Sequence, residues 1–268
     1  MRTYSGKTAV VTGAGSGIGR ALALHLTQLG ARVALSDISK QAAVDTAAAC
    51  GKNAQAFELD VADREAVFAH ATEVAEAFGG VDLVVNNAGV ALHGPVSELD
   101  VDDMRWLMDI NYWGVVHGTQ AFLPHLVAAR GQLANVSSVF GLISVPKQAA
   151  YNAAKFAVRG FTESLRQELV VAGTPVAVST IHPGGIKTAI ARSARVTTGE
   201  DPAATAALFD KLARTSPEKA ARTIMRGLAK ERPRILVGPD AYALAALPRL
   251  LGIGYEKVVA RGSKSLEV

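Results

Sequence analysis

In the run SSVFGLISVPKQAAYNAAK, Tyr151 stands four residues before Lys155, and the pair Ser137-Ser138 lies a short loop upstream. The alanine-rich segment beyond Pro146, QAAYNAAKFAVRGFTESLRQEL, favours helix throughout, and Pro146 suits the turn that leads into it. Residues four apart share a helix face, so the phenol and the ammonium are neighbours. A free tyrosine titrates near pH ~10, and a nearby lysine ammonium is expected to stabilise the phenolate and pull that value down. Such a tyrosine can exchange a proton with an alcohol. The plain alternative is a helix whose tyrosine and lysine both reach solvent, and the pair alone does not decide between the two.

The elements that must position these groups are legible as alternating apolar runs and helical stretches. KTAVVT, RVALSD, AQAFELD, DLVVNNAG, GQLANVSS, PVAVSTIHPGG and RILVGPD read as seven strands, with helices between them. Strands buried on both faces and separated by helices imply an α/β fold, a doubly wound parallel sheet with helices on both faces. Ligands belong at the carboxyl ends of its strands. Neither a repeat nor a Pro/Gly-rich linker divides the chain, so residues 1–268 are expected to form a single domain. Two segments break the rhythm. Residues 189–216 are polar, contain Gly and Pro, and carry a short amphipathic helix, which makes them a candidate lid over the substrate. Residues 241–253, AYALAALPRLLGI, are apolar but interrupted by Pro248 and Arg249, and are expected to pack on the protein or a partner. Ser216 and Pro217 suit the N-cap and first position of the last crossover helix.

Composition narrows the class. At 268 residues with 49% hydrophobic and 19% charged side chains, the chain can bury a full core. Its single cysteine, Cys50, excludes an internal disulfide framework, and the six histidines lack metal-ligand spacing, so no metal is expected. The first residues are neither a signal peptide nor a spanning segment, and a reducing cytoplasm is the default compartment. The net charge of +4 is uneven: residues 1–210 hold 16 basic and 19 acidic side chains, residues 211–268 hold 12 and 5. Without an aromatic stacking set or DNA-binding motif, that C-terminal excess reads as a solvated face and not as a nucleic-acid site.

After the first strand, TGAGSGIGR places Gly13, Gly15, Gly17 and Gly19 before a helix, where backbone N–H groups can approach a phosphate. The spacing is G-x-x-x-G-x-G; G-x-G-x-x-G is not met, because Ile18 and Arg20 stand where its last glycine belongs. SGKT is not a Walker loop either, since its Gly-Lys precedes the strand. Asp37, ending the second strand, stands where an acid bonds the ribose hydroxyls of a dinucleotide; the competing reading is an N-cap for the next helix.

Together, Thr12-Gly13-x-x-x-Gly17-x-Gly19, Asn86-Asn87-Ala88-Gly89, Asn111, Ser138, Tyr151-x-x-x-Lys155 and Pro183-Gly184 resemble the short-chain dehydrogenase/reductase family over about residues 6 to 190. The resemblance implies a Rossmann-like domain in which hydride passes between a nicotinamide and a carbinol carbon. It implies that Tyr151 is the general acid/base, that Lys155 lowers its pKa and bonds the nicotinamide ribose, that Ser138 bonds the substrate oxygen, and that Asn111 holds a water linking the lysine to solvent. Either serine of the pair could serve; the family's spacing favours Ser138. For the cofactor it implies contacts from Gly13, Ser16, Gly17, Ile18 and Gly19, from Asp60 and Val61 at the adenine, from Asn87, Ala88 and Gly89, and from Pro183, Gly184, Ile186 and Thr188 near the carboxamide. Asn86 is expected to stabilise the central strands. Asp37, with Ser16 and Ile38 where NADP-preferring members carry a basic residue, points to NAD over NADP.

Apolar residues around this set, Val139, Phe140, Leu142, Ile143, Val145, Trp113 and Ile190, suggest a lipophilic secondary alcohol or ketone as substrate, unless they simply pack the core. His93 and Gln148 are polar candidates with a structural role as the alternative. NNAGVALHG departs from the I-T-x-D continuation of acyl-carrier-protein ketoreductases. The C-terminal quarter lacks the V-D-G-G pattern of many tetrameric members, so a homodimer or homotetramer is expected by resemblance while the tetramer contact itself is missing. Two other readings stand beside the enzyme: a non-catalytic NAD-binding sensor or scaffold, and a peripheral membrane-associated reductase whose divergent tail, residues 241–268, lies at a lipid surface.

Overall fold

The computed structural model describes residues 3–266; the last two residues of the tail lie outside it. In chain order the first half holds β1 (Thr8–Thr12), α1 (Gly17–Gln28), β2 (Arg32–Asp37), α2 (Lys40–Cys50), β3 (Ala54–Glu58), α3 (Arg64–Phe78), β4 (Leu83–Asn86), β5 (Leu92–His93), α4 (Val101–Met108) and α5 (Gly114–Ala129). The second half holds β6 (Gln132–Val136), α6 (Ala149–Val171), β7 (Ala177–Pro183), β8 (Arg195–Val196), α7 (Pro202–Leu212), α8 (Pro217–Ala229), β9 (Arg234–Val237), α9 (Pro239–Leu251) and α10 (Tyr255–Leu266). All seven strands expected from apolar runs form one parallel sheet in the order β3-β2-β1-β4-β6-β7-β9.

That order follows from burial on both faces. Val10, Ala34, Val84, Leu133 and Val178 point to one side and pack under α3, α5 and α6. Their neighbours Val11, Leu35, Val85, Ala134 and Ile181 pack against α1 and α8 on the other. Successive strand residues alternate faces, so a run apolar at every position needs a helix layer on each side. The chain winds outward in opposite directions from β1 and β4, and a crevice opens between their carboxyl ends.

A polar tie runs through the middle of one layer. Asn86 Nδ2–H donates to Asn135 Oδ1 (2.9 Å), Asn135 Nδ2–H to Thr162 Oγ1 (3.0 Å), and the Thr162 hydroxyl to the Val158 carbonyl (2.6 Å). This joins β4, β6 and α6, as expected for Asn86.

The irregular segments hold more structure than their sequence suggests. Residues 189–216 contain α7 as anticipated, but also β8, which pairs in parallel with β5. Two-residue strands leave no periodicity to read. Arg195 fixes the segment further, bonding Asp103 (2.6 Å) and lying 3.7 Å over the Trp106 ring. Ser216 caps α8 by accepting from the Lys219 N–H, with Pro217 in the first helical position. Pro248 does not end α9, which carries it inside its last turn. No helix among the described residues is long and apolar enough to cross a membrane.

Asn135→Ala should lower stability by about 1–3 kcal/mol, because it strips partners from buried Asn86 and Thr162. Urea unfolding midpoints check this; an unchanged midpoint would mean that the tie does not hold β4, β6 and α6 together.

Candidate functional site

Ser138 leaves the carboxyl end of β6 and caps a short 3-10 turn, Val139–Gly141, its Oγ accepting from the Phe140 N–H (3.1 Å). Tyr151 lies in the first turn of α6 and Lys155 one turn later. Lys155 is 3% exposed, donates from Nζ to the Val136 carbonyl (3.2 Å), and places that nitrogen 5.5 Å from the Tyr151 ring centroid. Ser137 faces the other way: its hydroxyl donates to the Lys155 carbonyl (2.8 Å), a structural role that leaves Ser138 as the serine beside the tyrosine. The Phe140 ring stands edge-on to Tyr151 at 6.3 Å.

Burial sets the electrostatics of this set. It pushes the Tyr151 phenol up to about 12, with the hydrogen bond from Ser138 pulling the other way. It pushes the Lys155 ammonium down to about 8. The expectation of a lowered tyrosine is therefore corrected for the protein by itself. Taking the phenolate out of water costs more than the neighbouring lysine returns, and Nζ sits over the ring.

Asn111 lies fully buried in a π-turn, Asp109–Trp113, between α4 and α5. Its amide is spent on Val90, accepting from that residue's N–H and donating to its carbonyl, both at 2.8 Å. A Cβ on Gly89 would lie 3.0 Å from Asn111 Oδ1 and 3.5 Å from Lys155 Nζ, so these three residues converge. A π-turn inside a helix commonly marks a functional position.

At the switch point the Thr12 hydroxyl accepts from the N–H groups of Asn87 (3.0 Å) and Ala88 (3.1 Å), while Asn87 Nδ2–H reaches the carbonyls of Thr12 and Gly13. Gly13 and Gly17 have φ of +62° and +52°, and a Cβ on Gly13 would stand 2.8 Å from Ala88 Cα. Larger residues would be strained there and would part the loop from β4. Ser16 is the N-cap of α1 but makes no side-chain cap bond, so the amides of Gly17, Ile18 and Gly19 stay available to an anion at the helix terminus. Asp37 accepts from the N–H of Gly15 (2.8 Å) and of Ser39 (2.9 Å). The cap of α2 is Ser39, which accepts from Ala42, so Asp37 is not that cap and faces the glycine loop. Two of its lone-pair sites remain for hydroxyls. Asp60 accepts from Ala62 N–H at the end of β3, and Val61 is buried, its carbonyl meeting His117 Nδ1 (3.1 Å). These residues suit a dinucleotide: first-turn amides for a pyrophosphate, a carboxylate for ribose hydroxyls, and small residues where backbone must approach.

Beyond β7, Pro183 and Gly184 pair with the end of β9 through the Gly184 N–H and Val237 carbonyl (2.9 Å). The Ile186 side chain is 3% exposed and belongs to the core, so only its main chain can face a ligand. Its strand bridge to Thr215 runs through Gly185 and Lys187, leaving the Ile186 N–H and carbonyl out of it. The Thr188 side chain approaches Gly17, closing the crevice from the opposite side.

Two contributors escaped the sequence reading. His182 is wholly buried, donates from Nδ1 to the Ser138 carbonyl (2.8 Å), and keeps Nε2 without a hydrogen-bond partner. Asp240, from the divergent quarter, accepts from the Gly185 N–H (2.6 Å). Neither stands near its partner in sequence. His93 and Gln148 bond each other (3.0 Å), and Glu200 meets His93 Nε2 (3.5 Å) and Lys147 (2.8 Å), which favours their structural reading. Of the apolar residues read as pocket wall, Val139, Leu142 and Ile143 are buried, while Trp113 is 47% exposed and stacks on His117. Phe140, Val145 and Ile190, all half-buried, remain as candidates for contact.

Comparison with known proteins agrees with this fold. Residues 7–199 match the short chain dehydrogenase family model. A Mycobacterium tuberculosis protein named as an oxidoreductase, SadH, is 53% identical over 98% of this chain and 97% of its own. The dehydrogenase/reductase SDR family member 7B of Xenopus tropicalis is 32% identical over 95% and 85%. The crystal structure of a short chain dehydrogenase/reductase from Burkholderia phymatum in complex with NAD superposes with a TM-score of 0.87, at 32% identity, covering 93% of this chain and 95% of that one.

His70 and His182 are both held neutral by burial, their pKa lowered to about 4. The unfolded chain binds more protons between pH ~4 and ~6.5, so their contribution is present above that window and is lost as pH falls through it. Each should cost about 3 kcal/mol of stability across the window. His182→Asn, which keeps a donor for the Ser138 carbonyl, should remove about half of the loss; equal acid sensitivity in thermal melts would contradict the assignment.

Proposed function

The chain belongs to the short-chain dehydrogenase/reductase family of oxidoreductases, and on that premise we propose that it interconverts a lipophilic secondary alcohol and its ketone with NAD. The observation that carries this reading is the convergence of Ser138, Tyr151 and Lys155 beside the crevice that Asp37 and the glycine loop border. NAD supplies the hydride acceptor, and NADH the donor, for the carbinol carbon.

The chain's own residues handle the oxygen. Ser138 Oγ and the Tyr151 hydroxyl bond the substrate oxygen and orient the carbinol carbon. In the oxidation direction the Tyr151 phenolate takes the alcohol proton as hydride leaves; in reduction the phenol returns it. Lys155, as the ammonium, favours the phenolate and stays charged most fully below pH ~8. Ser138 stabilises charge developing on the oxygen, and His182 holds the Ser138 main chain from behind. Asn111, whose amide also bonds Val90, would hold a water connecting Lys155 to solvent. The amides of Gly17, Ile18 and Gly19 hold the pyrophosphate, and Asp37 bonds the adenosine ribose and repels a 2′-phosphate. Asp60, Val61, Asn87, Ala88, Gly89, Pro183, Gly184, Ile186 and Thr188 complete the proposed cofactor contacts. A cytoplasmic location and a homodimer or homotetramer belong to the same reading.

Purified protein given NAD or NADP with short, long-chain, cyclic and steroid alcohols should show nicotinamide reduction with NAD. Tyr151→Phe should lower kcat by roughly 10²–10⁴-fold while the cofactor still binds. Asp37→Ala should shrink the preference for NAD over NADP by at least about tenfold, since the carboxylate would both attract and repel. Cofactor binding without turnover on any alcohol or ketone would revive the sensor reading.

A further inference from the structure

We infer that the corner joining α9 to α10 is a docking element for an anionic lipid surface, placed beside the loop that joins Ser138 to Tyr151. Where the two helices meet, Leu250, Leu251 and Ile253 are 78%, 46% and 82% exposed, and Val258 on the next turn is 46% exposed. Glycines 252 and 254 flank Ile253 in a short 3-10 turn, so the corner presents exposed apolar side chains.

The charge around that corner is predominantly positive. Arg249, Lys257, Arg261 and Lys264 are exposed, and none pairs with a carboxylate among the described residues. Lys257, Arg261 and Lys264 follow at intervals of four and three, which stacks them on one stripe of α10. Glu256 is the one acidic residue among residues 241–266. The basic excess noted in the C-terminal sequence thus falls partly beside the exposed leucines. Cations next to an apolar corner match phosphate headgroups over acyl chains. A second copy presenting the same corner would instead bring like charges together.

The inward sides of α9 and α10 are already committed. The Tyr255 hydroxyl bonds Ser144 at its N–H (3.3 Å) and Oγ (3.0 Å), and α9 packs on the Val139–Gly141 turn that follows Ser138. Between α10 and the loop lies a cleft of about 280 Å³, walled by Val145, Pro146, Val259 and Ala260 with Ser144 and Glu256 at its edge. The Val145 carbonyl is bonded by Asn152, the residue after Tyr151 (3.0 Å). A lipophilic molecule leaving the bilayer at the corner would therefore meet an apolar path toward the catalytic loop. That last step rests on the function proposed above; the docking itself does not.

The test is co-sedimentation of the full chain with phosphatidylcholine vesicles, with and without phosphatidylglycerol, alongside turnover of a short water-soluble alcohol. The wild type should bind only the anionic vesicles and be released by salt. Lys257→Gln/Arg261→Gln/Lys264→Gln should weaken binding on the order of 100-fold, and Leu250→Ser/Ile253→Ser should abolish it, with circular dichroism and short-alcohol turnover unchanged. A wild type that ignores anionic vesicles, or variants that bind like it, would overturn the proposal. So would Leu250→Ser/Ile253→Ser dissociating an oligomer while vesicle affinity holds, because the corner would then be covered by a second copy. Vesicle binding without turnover of any alcohol would uphold the docking and overturn the proposed chemistry instead.

Discussion

The buried ammonium of Lys155 is the constraint around which the catalytic end is built. It is 3% exposed, and a lone charge there is costly unless polar groups receive it. Val136 offers its carbonyl to Nζ, and the next residue but one of the serine run, Ser138, stands beside Tyr151. Ser137 locks the lysine's main chain through its hydroxyl. The end of β6 and the first turns of α6 are thereby fixed to each other by contacts that also orient the two side chains able to exchange a proton with an alcohol. The same burial that keeps Lys155 in place pushes its pKa down and that of Tyr151 up.

The sheet supplies the second half of the site. Because β1 and β4 are neighbours from which the chain winds outward both ways, their ends leave room for a long ligand, and Thr12 ties them at the point where the glycine loop begins. Asp37 meets that loop from β2, and Thr188 meets it from beyond β7. Strands far apart in sequence thus border one crevice, which is why the short motifs fall at strand ends.

Much of this was legible from sequence, for physical reasons. Apolar runs flanked by helices required a two-faced parallel sheet, and all seven strands formed where the runs lie. Helical spacing made Tyr151 and Lys155 legible as neighbours, whereas the choice of Ser138 over Ser137 came from the family resemblance alone. What sequence lacks is depth. The lysine beside Tyr151 suggested a lowered phenol, but desolvation, invisible in spacing, carries it the other way. SDIS offers two acceptors near the start of α2, and only the backbone shows that Ser39 caps the helix while Asp37 turns to Gly15. His182 and Asp240 reach their partners across 44 and 55 positions, and no local pattern announces either.

The most direct test of the account is the pH dependence of kcat/KM for NAD-linked oxidation of a secondary alcohol, measured for the wild type and for Lys155→Met. Removing a positive charge beside the phenol raises the pH at which phenolate forms, so the variant should turn over more slowly with its rising limb displaced to higher pH. Turnover of the variant with an unshifted profile would separate Lys155 from the proton transfer and contradict it.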